Sequence, residues 1–119
     1  MTNQISILYT TIGGSKQAED LANLAIANGL AVCVNILSNG KSIYLWNSKI
    51  DQSEEYYMIF KTTIDLIDKL EDIITKNHPY DVPVILKWQC EANEEFMKYI
   101  KECTHTKNRL TKRKDIYFR

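Results

Sequence analysis

At 119 residues, 45% hydrophobic and 25% charged, the chain is the length of one folded domain, and its apolar content excludes disorder along the bulk of it. No apolar run approaches the roughly 20 residues that span a bilayer, and MTNQISILYTT lacks a signal peptide's basic and apolar regions, so a cytoplasmic, membrane-free protein is expected. The formal net charge of zero hides a division: residues 105–119 carry six Lys/Arg against Asp115 alone, while residues 1–104 carry nine basic and fourteen acidic side chains, a poor surface for nucleic acid.

Gln4–Thr10 alternates and is rich in isoleucine, which predicts a strand. Gly13 and Gly14 turn the chain, Ser15 is the expected N-cap, and Ala18, Leu21, Ala22 and Ala25 form a helical stripe that Gly29 closes. The alanines suit a helix lying close on a sheet. Leu30–Leu37 and Ser42–Asn47 are β-rich around a turn or bulge at Ser38–Lys41, and SKIDQS reads as a polar connection to the next strand, Glu54–Lys61. These arms allow a long hairpin that overhangs so small a domain and calls for a covering subunit. Thr63 is placed to cap a second helix, with Leu66, Ile67, Leu70, Ile73 and Ile74 as its stripe, ending near Asn77 ahead of Pro79. Val84–Cys90 predicts the last strand, and Asn93 the cap of a helix carrying Phe96, Met97, Ile100 and Cys103.

The order β-α-β-β-α-β-α predicts an α+β fold: a ferredoxin-like βαββαβ sandwich with an antiparallel sheet and a C-terminal helix over residues 1–104, followed by a basic extension, residues 105–119. The fold alone implies no activity. Cys33, Cys90 and Cys103 are an odd set without CxxC spacing and fit reduced thiols. No nucleophile, base and orienting group stand together, so an enzyme is not expected.

In register with these elements stand AVCVNIL, SIYLW, FKTT and HPYDVPVI. Together, from about Ile5 to about Thr104, they resemble the CutA family of divalent-cation tolerance proteins. The resemblance implies a ferredoxin-like protomer, a homotrimer with long strands shared between neighbours, a cytoplasmic location, a link to copper and other divalent cations, and a fold relationship to the PII regulatory proteins. It implies no catalytic reaction. Copper-binding members are thought to use a first-strand cysteine and a histidine pair; matched by position, Tyr9, Asn77 and His78 stand there. His78 is therefore the remaining candidate metal ligand, and Cys33 a second, although a cysteine in an apolar strand is more commonly a small core residue. In WNSKI, Ser48 takes the place of a more usual glycine.

The stretch HPYDVP, His78–Pro83, is either a rigid connector or the frame of a site. On the second reading His78 and Tyr80 face Tyr44, Trp46 and Lys61 across an intersubunit cleft. Tyr44 and Trp46 are two apart and share a strand face, for packing or for stacking a ligand. The leading expectation is a trimeric divalent-cation protein with altered ligands. The alternatives are a PII-like module binding a small anion at that cleft, and a structural trimer serving an unidentified protein partner.

Overall fold

The computed structural model describes residues 3–104; the basic extension and its closing DIYFR, read above as a short strand or packing arm, lie outside them. In chain order come β1 (Gln4–Ile12), α1 (Ser15–Ala27), β2 (Cys33–Trp46), β3 (Lys49–Thr62), a 3-10 turn (Ile64–Leu66) running into α2 (Ile67–Asn77), β4 (Leu86–Glu91) and α3 (Glu94–Cys103). The strands lie in the order β2-β3-β1-β4, each neighbour antiparallel. This is the expected ferredoxin-like arrangement.

Alternation along β1 supplies both faces of the sheet. Leu8 and Ile12 join Met58 and Phe60 of β3 under Ala18, Leu21 and Ala25 of α1 and Leu70 and Ile74 of α2. Ile5 and Ile7 point the other way, where Ile59 joins them under Met97, Ile100 and Cys103 of α3. Complete burial of side chains such as Phe60, Leu8 and Ile74 stabilises the fold by about 1.5–3 kcal/mol each.

The helix ends follow the sequence in part. Beyond α1, Gly29 takes φ 72°, which lets its N–H reach Ile26 O and that of Leu30 reach Ala25 O, both at 3.0 Å. The N-cap of α1, however, is Gly14; Ser15 is already helical. Thr63 precedes the 3-10 turn, its hydroxyl buried without a hydrogen-bond partner, and Asn93 takes the N-cap position of α3 without a side-chain cap bond. The helix stops at Asn77 as Pro79 requires.

The largest departure is the hairpin. SKIDQS is not a connection: the turn is Asn47–Ser48 alone, with φ 50° and 64°, and Lys49–Ser53 are strand. Two central residues with positive φ are what a tight turn matching strand twist demands. The feature at Ser38–Lys41 is a bulge, with the register shifting between Leu37 and Gly40 and Asn39 at φ 63°. There the Tyr57 hydroxyl accepts from Lys41 N–H at 3.0 Å and donates to its carbonyl at 3.1 Å. A Cβ on Gly40 would lie 2.4 Å from the Tyr57 ring, so glycine is required for that approach. Fourteen-residue strands reach about 45 Å. Since β1 stops where Ile12 pairs with Tyr56, β3 from Glu55 back to Lys49 is paired, among the described residues, only with β2.

Candidate functional site

The groove opens where β1 ends. One wall is the overhanging hairpin, where Ser42 pairs with Ser53, Tyr44 with Asp51 and Trp46 with Lys49, so these residues share a face. The other wall is the loop after α2, with Tyr80, Asp81, Val82 and Val84. Thr11 and Glu55 form its floor, and the cavity measures about 650 Å³.

The loop is fastened to the sheet at several points. His78, 9% exposed, bonds through Nε2 to the Thr11 carbonyl at 2.8 Å, and its Nδ1 accepts the Tyr80 N–H at 3.2 Å. An accepting Nδ1 places the proton on Nε2, so the ring is neutral. Burial pushes its pKa below the ordinary histidine value, outweighing the upward pull of the Thr11 carbonyl and of Glu55. The Tyr80 ring stands edge-on to His78 at 4.8 Å between centroids, and its hydroxyl donates to Glu55 Oε2 at 2.7 Å. Thr11 Oγ1 donates to Glu55 Oε1 at 3.2 Å, so both oxygens of this buried side chain have partners. Burial first, then the Glu55 bond and charge, push the Tyr80 phenol pKa upward. Thr10 Oγ1 donates to Val84 O at 2.6 Å and ties the loop's far end. The prolines thus brace a segment already bonded at both ends.

Of the residues singled out from sequence, Tyr44, Trp46 and Tyr80 meet in the groove, and His78 anchors its wall. Lys61 does not line it. It pairs with Ile7 and Cys33, six residues along β3 from Glu55, or about 20 Å, because the hairpin is longer than expected and carries the groove away from the strand end. Cys33 sits in that same row, half-buried against the α3 layer, about 13 Å along the sheet from the Thr11 row that holds His78. Glu55 and Thr11 were not anticipated. The available signal was an acid at position 55, in phase with Tyr57 and Ile59 on the face of β3 that turns inward.

Fold and site define a small α+β protein with a long overhanging hairpin and a groove walled by aromatic and acidic side chains. Residues 6–103 match the family model described as CutA1 divalent ion tolerance protein. A CutA1 crystal structure from Ehrlichia chaffeensis superposes with a TM-score of 0.84 at 37% identity, covering 89% of this chain and 99% of that one. A structure from Archaeoglobus fulgidus, described as a periplasmic divalent cation tolerance protein, has a TM-score of 0.79 at 31% identity over 83% of this chain and 97% of that one. The chloroplastic Protein CutA 1 of Oryza sativa is 31% identical over 82% of this chain, which spans only 56% of the rice protein's length. The chain belongs to the CutA family of divalent ion tolerance proteins.

A metal is implied by that family, and the described donors do not fit one within a single chain. Both His78 nitrogens are engaged with backbone. Tyr9 and Asn77, at the other two matched positions, contribute a phenol ring 6.4 Å from Tyr57 and an amide bonded to Ile73 O. No three His, Cys, Asp or Glu side chains among the described residues converge on one point. His105 lies outside the described residues. No helix among the described residues is long and apolar enough to cross a membrane.

Proposed function

We propose that the chain acts in the cytoplasm as a homotrimeric divalent-cation tolerance protein, with no catalytic reaction of its own, and that any copper or other divalent cation is held by ligands other than His78. The family match over residues 6–103 carries the cation reading. Assembly is supported by the hairpin: Ile43, Leu45 and Ile50 are 67%, 72% and 82% exposed on the face opposite Tyr44 and Trp46. Monomers rarely leave so contiguous an apolar surface bare, and the edge of β3 from Lys49 to Ser53, unpaired among the described residues, is a liability that a neighbouring copy removes. Cys33, Cys90 and Cys103 as reduced cysteines suit a reducing compartment.

The anion-binding alternative is less favoured by the groove of one chain, which Asp51, Glu55 and Asp81 line. A scaffold role for a further protein partner shares the same trimer and differs only in cation binding.

The test is a calorimetric titration of metal-stripped protein with copper and zinc, for wild type and His78→Gln. Saturable binding that survives His78→Gln is the expected result. No binding of either metal would move the reading to the scaffold role; binding abolished by His78→Gln in a folded protein would return His78 to the ligand set.

A further inference from the structure

We propose that the groove between the hairpin and the His78–Val84 loop is a docking site for this chain's own basic C-terminal segment, residues 105–119.

Charge is the first argument. Asp51, Glu55 and Asp81 line the groove, and among the described residues no Lys, Arg or His does. These acids do not converge tightly enough to chelate one ion. Carboxyl groups spread along a trough match cationic side chains spaced along a peptide. Tyr44, Trp46 and Tyr80 add aromatic faces, on which guanidinium and ammonium groups rest favourably. The segment supplies that chemistry: Lys107, Arg109, Lys112, Arg113, Lys114 and Arg119 against Asp115, while residues 1–104 carry five more acids than bases.

Reach and position are the second argument. The segment begins beyond α3, which packs on Ile59 and Ile7. Ile59, Glu55 and Asp51 have the same parity on β3, so α3 and the groove lie on one face of the sheet. The eight-residue step from Ile59 to Asp51 is about 27 Å, whereas fifteen residues extend to about 50 Å. The family match ends at Cys103, so the segment lies beyond the matched region.

The contacts are exposed ion pairs, individually weak and sensitive to salt. The test uses the full chain. Trypsin cleavage after Lys107 and Arg109 is timed for wild type and for Asp51→Asn/Asp81→Asn, two exposed positions, with circular dichroism to check that the variant keeps the fold. Cleavage is expected to quicken by roughly three- to tenfold in the variant, the range two such pairs allow. In parallel, carbodiimide, which joins touching lysine and carboxyl groups, is expected to couple Lys112 or Lys114 to Asp51 or Asp81. Equal cleavage rates overturn the proposal. So do cross-links of those tail lysines confined to the acids of α1 and α2, or of the groove acids to body lysines of a second copy.

Discussion

Tyr80 Oη and Glu55 Oε2 are 2.7 Å apart, so a residue in the proline-braced loop closes directly on a buried acid in the middle of the longest hairpin. This bond links the two walls of the groove. Thr11 completes the arrangement, accepting from His78 through its carbonyl and donating to Glu55 through its hydroxyl. The wall is therefore set by side-chain chemistry, and its first consequence concerns stability.

Tyr80→Phe keeps the ring against His78 and removes only the donor, leaving one Glu55 oxygen buried without its partner. The variant is expected to lose about 1–3 kcal/mol in urea denaturation. An unchanged midpoint with an unchanged slope would show that water replaces the phenol there without loss.

Acid should weaken the same wall through His78. Its pKa is depressed in the fold, so between the unfolded value and the folded one the unfolded chain binds more protons. The stabilisation is complete above the unfolded value near pH 6.5 and declines as pH falls through the folded value. Protonated Nδ1 can no longer accept the Tyr80 N–H. Denaturation midpoints measured from pH 7.5 down to pH 5 should fall faster for wild type than for His78→Gln; parallel curves would remove His78 from the account.

At the hairpin tip, Ser48 holds φ 64°, a left-handed conformation that strains a residue with a Cβ. Ser48→Gly yields Asn-Gly, the preferred pair for this turn, and should stabilise the protein by about 0.5–1 kcal/mol. Ser48→Val, with a branched Cβ, should do the reverse. Thermal melting of both variants checks the sign.

Much of this fold was legible beforehand because local chemistry and tertiary packing agree. The alanine stripe of α1 and the Pro79 stop after Asn77 specify the same elements in isolation and in the sheet. The hairpin was misjudged at Lys49–Ser53, where polar residues sit in strand because β2 pairs with every one of them. Polarity there reflects an unburied surface, which pattern reading takes for a loop. The site was half legible. Tyr44, Trp46 and Tyr80 announced themselves as aromatics in β-rich or proline-rich context, but Glu55 and Thr11 gain their roles only from the register that sets Thr11 opposite Tyr57, two residues from Glu55. Within one chain Lys61 lies away from this groove, because strand length decides which end of β3 the groove occupies.

In the proposed trimer the overhanging hairpin is completed by copies of the same chain. Light scattering coupled to size exclusion, run on wild type and Ile50→Glu, tests it most directly. Ile50 is 82% exposed in the single chain, so the substitution disturbs no packing within one protomer. The expected result is three times the 13.8 kDa chain mass for wild type and a shift to smaller species for the variant. A wild-type protein that runs as a folded monomer at every concentration would contradict it.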